Sequence, residues 1–229
     1  MAPVPPPPTP SPGAAVRREP SPMAAHLPPL MAGGFLPLQE ARFVVDLGTG
    51  GAWLAEQSAT QHHIGNSSAT INGTLRLIIY DIFTISASGS VAFPPDDASF
   101  SEQVVLEQGG GDPTTADSSL SVVRYSIAAG LRTPFWALSP TEKGWFGAAL
   151  FADVGAAGIH GDRSISNCSD CRSDSLDFPG GTFWRVGLDL AAPSRGPRAG
   201  YGLTVAYQRY LAGAGLAQEF QVGLSIWLL

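Results

Sequence analysis

The chain has 229 residues, a formal net charge of −6 and only 14% charged side chains, although 44% of its residues are hydrophobic. No stretch approaches 18 consecutive apolar residues, which excludes a transmembrane helix. The acidic balance leaves no basic stripe, so nucleic acid is not an expected partner.

A proline-rich leader occupies residues 1–39 and differs in composition from the second predicted domain, residues 40–229. Proline cannot occupy helix interiors or central strands and favours polyproline II or disorder, so we predict a disordered leader. Its role stays open between a periplasmic spacer or partner motif and a segment without a task. No signal peptide is visible, because Arg17-Arg18 is followed by Glu-Pro-Ser-Pro rather than by an apolar run.

Eight segments with the period of a β-strand follow the leader. Each has about 10 to 14 residues, long enough for a tilted strand to cross the hydrocarbon core of a membrane. The predicted strands span residues 42–55, 70–80, 83–93, 121–132, 145–156, 182–192, 201–211 and 220–229.

The two faces of these strands differ in chemistry. One face carries large apolar side chains, while Gly, Ser, Thr and most charged residues fall on the other. Arg209 is the only charge that the period places on the apolar, outward face. Aromatic residues of that face lie mostly towards strand ends, as in the two girdles of a membrane barrel. These aromatic residues are Phe43, Trp53, Phe83, Phe93, Phe146, Trp184, Tyr201, Tyr207 and Phe220.

The connections between the predicted strands alternate in length for most of the chain. This alternation is typical of an even-stranded barrel that has both chain ends in the periplasm and its longer loops outside the cell. The longer connections span residues 56–69, 94–120 and 158–181, and the shorter ones span 81–82, 133–144, 193–200 and 212–217.

The last predicted strand carries Phe220, Val222, Leu224, Ile226 and Leu228 on its apolar face. An apolar strand left at an open edge invites aggregation, whereas a closed barrel has no open edge. We therefore expect this strand to pair with the first strand and to close a ring.

In strand rhythm, loop alternation and terminal strand, residues 42–229 resemble the small eight-stranded outer-membrane barrel family, which includes OmpA-like and OmpX-like barrels. The resemblance implies an all-β, eight-stranded, antiparallel up-and-down transmembrane β-barrel in the outer membrane of a bacterium. It also implies that the N-terminal segment and the C-terminus are periplasmic and that the long loops are extracellular. The apolar face of the terminal strand would be the signal read by the barrel-insertion machinery, and the barrel would contact outer-membrane lipid.

Charged residues on the inward face are expected to fill the lumen, because eight strands leave room for side chains only. Buried charges must pair. We expect Asp46 to meet Arg76, and Arg124, Asp153 and Arg185 to form one cluster, since Arg124 and Asp153 both lie about eight residues from the connection 133–144. A structural plug is favoured over a proton or ion path. The predicted lumen network is Asp46, Arg76, Arg124, Asp153, Arg185 and Asp189, with Arg42 and Arg132 on the same face.

Cys168 and Cys171 are the only cysteines, and they lie in a predicted loop. In an oxidising compartment we expect a local disulfide, with free thiols or half of a metal site as the alternatives. The nearby aspartates 162, 170, 174 and 177 are interpreted as solvated charges rather than as calcium ligands.

The sequence shows no nucleophile and base at a catalytic spacing, and His62, His63 and His160 are interpreted as loop residues. We therefore expect a non-enzymatic, monomeric outer-membrane barrel without metal or cofactor, which stabilises the envelope or displays surface loops. Two alternatives stay open. One is a soluble, lipocalin-like barrel that binds an apolar ligand, and the other is a barrel enzyme that modifies lipids.

Overall fold

The computed structural model describes residues 41–95, 117–141, 144–166, 174–192 and 200–228. The leader, the cysteine pair and much of the connection 94–120 lie outside these ranges, so the predictions made for them remain predictions. The elements of the described residues are β1 (Ala41–Leu54), α1 (Glu56–His62), β2 (Ser67–Ile79), β3 (Phe83–Phe93), β4 (Asp117–Arg132), β5 (Trp136–Thr141), β6 (Gly144–Ser166), β7 (Asp174–Ala192), β8 (Gly200–Tyr210) and β9 (Leu216–Leu228).

The strands form a closed ring in which all neighbours are antiparallel. The order is β1-β2-β3-β4-β6-β7-β8-β9, and β9 returns to β1 with Phe43 opposite Leu228 and Trp53 opposite Gln218. The short strand β5 pairs only with β6 and continues the path of β4. The ring therefore has eight strand positions, and the predicted eight-stranded antiparallel up-and-down barrel is confirmed.

Large apolar side chains cover the outside of the barrel, as the strand period predicts. Leu47, Ile127 and Leu224 are 64%, 69% and 72% exposed, whereas their neighbours Asp46, Ser126 and Ser225 are buried in the lumen. Because residues of opposite faces alternate along each strand, the outside is apolar and the inside is polar through the middle of the wall.

The predicted loop 158–181 is wrong, because both flanking strands continue into it. β6 runs to Ser166 and β7 begins at Asp174. Alternation persists there, with Ile159 and Arg163 buried and His160 exposed. The polar outer face of this segment made it look like a loop.

The first predicted loop contains a short helix that packs into the mouth of the barrel. Ala59 of α1 and Ile64 after it are buried with Leu54, Leu120 and Phe178. Three strands continue past the closed ring at this end. The β3–β4 pairing ends at Ala92 with Val122, and the β7–β8 pairing ends at Phe183 with Tyr210. Beyond these pairs lie residues Asp117–Ser121 of β4, 162–166 of β6 and 174–182 of β7. We call these three segments the three-stranded extension; its inner face packs against α1.

The lumen has apolar side chains at both ends and charges between them. At the end with the extension, the cluster includes Leu54, Ile159, Phe178 and Phe183. At the opposite end lies a second cluster, formed by Val44, Ile78, Phe135, Ala149, Ala191 and Trp227. The charged layer is therefore separated from solvent on both sides by buried apolar groups.

Candidate functional site

The centre of the charged layer is Arg76 of β2, which lies between two carboxylates. Its guanidinium is 2.8 Å from Asp46 of β1 and 2.9 Å from Asp189 of β7. The hydroxyl of Thr204 lies 2.9 Å from Asp46 and 3.0 Å from Asp189, so it links the same carboxylates. Asp189 also accepts a hydrogen bond of 3.1 Å from Nε of Arg132. The predicted lumen residues Asp46, Arg76 and Asp189 thus lie together.

A second carboxylate extends this network towards the end of the barrel opposite the extension. Asp81, in the turn between β2 and β3, lies 3.1 Å from Arg42 and 3.7 Å from Arg132. Both guanidinium groups stack on the ring of Phe135, at 5.8 Å and 4.1 Å from its centroid. Cation–π contacts of this kind stabilise cations away from water, so the apolar end cluster also holds the charges in place.

Asp153 and Arg185 form a second pair on the adjoining strands β6 and β7, where they stand directly opposite each other. Nε of Arg185 lies 3.1 Å from Asp153, and its guanidinium donates to the Ser86 hydroxyl at 2.7 Å. The hydroxyl of Thr84 donates to Asp153 at 2.6 Å. All four side chains are buried, so each charge has both a counter-ion and a neutral hydrogen-bond partner.

Arg124 belongs to a third pair, and its predicted contact with Asp153 is wrong. Its Nε lies 3.0 Å from Glu219 of β9, across the lumen. In the register of β4 with β6, Arg124 is opposite Ile159 while Asp153 is opposite Gly130, six residues away. β5 continues the path of β4 to Thr141, and β6 begins at Gly144. The chain therefore reverses later than the prediction assumed when it ended the strand at Arg132, and this later reversal changes the residue of β6 that stands opposite Arg124.

Three serine hydroxyls complete the surroundings of Arg124. Its guanidinium donates to Ser90 at 2.9 Å, to Ser126 at 3.0 Å and to Ser88 at 3.3 Å. Glu219 in turn accepts from the amide of Gln221 at 2.9 Å. This pair is 1% and 0% exposed, so it depends on protein groups rather than on water for its hydrogen bonds.

The charges of the lumen cancel. Among the described residues, five guanidinium groups and five carboxylates are buried between the two apolar clusters: Arg42, Arg76, Arg124, Arg132 and Arg185, with Asp46, Asp81, Asp153, Asp189 and Glu219. A sixth buried arginine, Arg163, lies in the extension and donates to the carbonyl oxygen of His62. A cavity of about 20 Å³ lies between Asp46, Asn72, Arg76 and Thr204. That volume admits about one water molecule and no larger solute. The ten charges between the apolar clusters therefore balance one another.

Glu219 and Asp81 were missed by sequence reasoning. Glu219 is in phase with the inward residues Gln221 and Ser225, and this phase was the available signal, but the predicted strand began only at Phe220. Asp81 lies in a turn with φ of 54°, a backbone conformation in which aspartate is tolerated. Nothing in its sequence context distinguishes it from a solvated turn residue.

The histidines lie near the end of the barrel that carries the extension. The ring of His62 is 4.8 Å from that of Phe178, and its carbonyl oxygen accepts from Arg163 at 2.5 Å. His63 ends α1 with φ of 53°. Nε2 of His160 lies 3.4 Å from Asp162 on the outer face of the extension. The described residues contain no group of three or more His, Cys, Asp or Glu side chains placed to hold a metal ion.

A catalytic use of His160 would need a hydroxyl within hydrogen-bond reach of its ring. Ser121 is opposite Asp162, whereas His160 is opposite Val123. Ser121 is thus a diagonal neighbour of His160, at a typical separation of roughly 7–8 Å. The histidines therefore occupy a rim, and the outward Ser121 does not form a dyad with His160.

Several solved structures are similar to this chain. The attachment invasion locus protein Ail of Yersinia pestis is 14% identical, with a TM-score of 0.43, over 83% of this chain and 100% of that chain. Neisserial surface protein A is 6% identical, with a TM-score of 0.43, over 83% and 99%. The N-terminal β-barrel domain of Pseudomonas aeruginosa OprF is 10% identical, with a TM-score of 0.36, over 83% and 98%.

No protein-family model matches the sequence, and no curated protein matches it. The fold of this chain is established by its own strand pairing, which closes between β1 and β9. Within the described residues, no helix has the length and hydropathy needed to cross a membrane.

Proposed function

We propose that the chain is a non-enzymatic β-barrel of a bacterial outer membrane, which stabilises the envelope and displays its longer loops at the surface. The observation that carries the proposal is the inversion of the barrel, since its exposed face is apolar and its buried face holds paired charges. A soluble protein rarely exposes large contiguous apolar patches, whereas a membrane barrel requires an apolar band on its lipid side.

The filled lumen supports a structural role rather than transport. Phe135 and Trp227 pack edge to face at one end, with ring centroids 5.2 Å apart, and Phe183 and Tyr210 pack in the other cluster at 5.7 Å. Between these ends, every one of the ten buried charges lies within ion-pair distance of an opposite charge. A conducting path would have to break these pairs, at a cost of several kcal/mol each.

The same inversion disfavours a lipocalin-like barrel. A barrel that binds an apolar ligand needs an apolar internal cavity, and here the cavity of about 20 Å³ is lined by Asp46, Asn72 and Arg76.

A lipid-modifying enzyme would use the rim, where His160 and Asp162 form an acid–base pair. Its test is direct, because His160→Ala would abolish such an activity and would leave a structural barrel unchanged.

Insertion and orientation follow from the same proposal. The apolar face of β9 (Phe220, Val222, Leu224, Ile226 and Leu228) would be recognised by the insertion machinery, and membrane lipid would cover it afterwards. The first residue of β1, Ala41, and the last residue of β9, Leu228, lie at the side of the short β2–β3 turn, which we assign to the periplasm. The extension then faces the cell exterior, and a monomer is sufficient because the ring is closed.

Heat-modifiable migration tests the membrane barrel. The chain is extracted in detergent from membrane fractions and run in SDS with and without boiling. We expect a faster-migrating folded band that disappears on boiling, because a closed barrel resists SDS. Recovery only in the soluble fraction, with one mobility under both conditions, would refute the proposal.

A flux assay tests the filled lumen separately. Vesicles containing the folded chain should release a small entrapped ion no faster than empty vesicles. A release rate that scales with the number of barrels would refute the structural plug while leaving the membrane location intact.

A further inference from the structure

A row of side chains crosses four neighbouring strands on the outside of the barrel. Trp53 of β1 stands opposite Gln218 of β9, Gln218 opposite Arg209 of β8, and Arg209 opposite Trp184 of β7. Directly opposed residues of antiparallel strands share a face. Trp53 and Trp184 are 37% and 38% exposed and Arg209 is exposed, so that face is the outer one. We call these four residues the donor row.

The donor row offers hydrogen-bond donors to its surroundings. Indole and guanidinium groups donate and do not accept. Gln218 has one acceptor, and its carbonyl oxygen is already engaged by the hydroxyl of Tyr207 at 2.9 Å. The amide NH₂ of Gln218 can still donate. A group that is rich in acceptors and carries negative charge complements this surface.

Arg209 supplies the positive charge of the row. It is the only exposed arginine or lysine among the described residues. The carboxylates of the barrel interior are paired with other arginines. Within the described part of the chain Arg209 makes no ion pair, so an anion outside the barrel wall can approach it.

The height of the row on the wall indicates what it faces. Arg209 is the next-to-last residue of β8, beside the hairpin to β9. Two pairs closer to the middle of the wall, Tyr207 stands opposite Phe220, and Tyr207 packs edge to face on Trp184 at 5.6 Å. An arginine on the lipid side costs about 2–4 kcal/mol at the midplane but about 0–1 kcal/mol near the interface. The aromatic residues and the cation thus mark the boundary between hydrocarbon and headgroups.

We propose that the donor row binds the phosphate group of a membrane lipid, with Arg209 at its centre. Guanidinium matches phosphate with paired hydrogen bonds, and the flanking tryptophans place their apolar rings towards acyl chains and their N–H groups towards the headgroup. This inference rests on the proposed membrane location.

The test counts the lipids that the refolded full-length chain retains, by native mass spectrometry. The protein is transferred from micelles that contain phosphatidylglycerol or diacylglycerol, which lacks the phosphate. The wild-type chain should retain phosphatidylglycerol and not diacylglycerol. Arg209→Gln should weaken retention at least about tenfold, because it removes charge-assisted hydrogen bonds. Trp184→Phe removes only an indole N–H and should weaken it by about two- to tenfold.

Lys143→Gln is the matched control, because it removes the same unit of charge elsewhere in the chain, and its retention should equal that of wild type. Equal retention by the Arg209→Gln and Lys143→Gln chains, or equal retention of the two lipids, would overturn the site. Displacement of the lipid by an equal concentration of inorganic phosphate would overturn its assignment to a lipid.

The same samples are run unboiled in SDS to separate the two proposals. A wild-type chain without a folded band refutes the membrane barrel itself. A folded Arg209→Gln chain with unchanged phosphatidylglycerol retention refutes only the donor row.

Discussion

Replacing Glu219 with glutamine tests the ion pair that crosses the lumen. Glu219 and Arg124 are 0% and 1% exposed, and the carboxylate lies 3.0 Å from Nε of the arginine. At an effective dielectric constant of about 20, unit charges at this separation attract each other by about 5 kcal/mol. Removing one partner of a buried pair leaves the other charge uncompensated, at a measured cost of about 3–5 kcal/mol. We expect Glu219→Gln to lower the free energy of unfolding by about 3–5 kcal/mol.

The measurement is urea-induced unfolding of the barrel in lipid vesicles, followed by tryptophan fluorescence. A double-mutant cycle with Arg124→Met assigns the partner, and a coupling of about 2–3 kcal/mol is expected between positions 124 and 219. The control cycle pairs Arg124→Met with Asp153→Asn and should give a coupling below about 0.5 kcal/mol, as for separated sites. A larger coupling with Asp153, or a loss below about 1 kcal/mol in Glu219→Gln, would refute the pairing.

Three further substitutions probe the wall and the lumen. Ile127→Arg, at a site 69% exposed in mid-strand, should lower the stability of the barrel folded in vesicles by about 2–4 kcal/mol. The intensity of the folded band in unboiled SDS measures this loss. The control Ser119→Arg, on the extension, should fold normally. Phe135→Ala removes the ring beneath Arg42 and Arg132 and should cost about 3–5 kcal/mol; an unchanged urea midpoint would contradict this. Gly158→Val builds a Cβ that overlaps the far end of the exposed Tyr125 ring; because the ring can turn away, we expect the urea midpoint to report a cost of about 0.5–1.5 kcal/mol, which Tyr125→Ala in the same chain should remove.

The strands were predictable from sequence where their two faces differ in chemistry. β3 has the predicted bounds, Phe83–Phe93, because apolar and small polar residues alternate along its whole length. β6 and β7 were predicted too short because both of their faces change where they pass beyond the barrel wall. There the outer face is polar and the inner face packs on α1. The seven-residue α1 has no side-chain hydrogen bond at its N-cap, so burial of Ala59 explains it better than local signals do.

The lumen contacts divide by whether they join adjacent strands or cross the barrel. Asp153 and Arg185 are opposite each other on paired strands, so alternation and strand order are enough to bring them together. Arg124 with Glu219 and Arg76 with Asp189 join strands that are not paired, β4 with β9 and β2 with β7. Such contacts depend on the tilt and stagger with which the ring closes. The tilt and stagger depend on the lengths of all the connections together and on local irregularities such as the register shift between Ala137 and Ser139 in β5. A pattern read from one or two strands does not give them.

The proposed structural plug limits where this barrel can contact other molecules. The ten charges buried between the two apolar clusters pair with one another, and under the proposed function this leaves the lumen without a path or a site for a solute. Recognition is then left to surfaces outside the lumen. In the described residues these are the donor row, at the edge of the apolar band, and the outer face of the three-stranded extension, where Ser119, Asp162 and Asp177 are exposed. Both surfaces are formed by strands of the closed ring, so the strand pairing fixes their positions relative to each other.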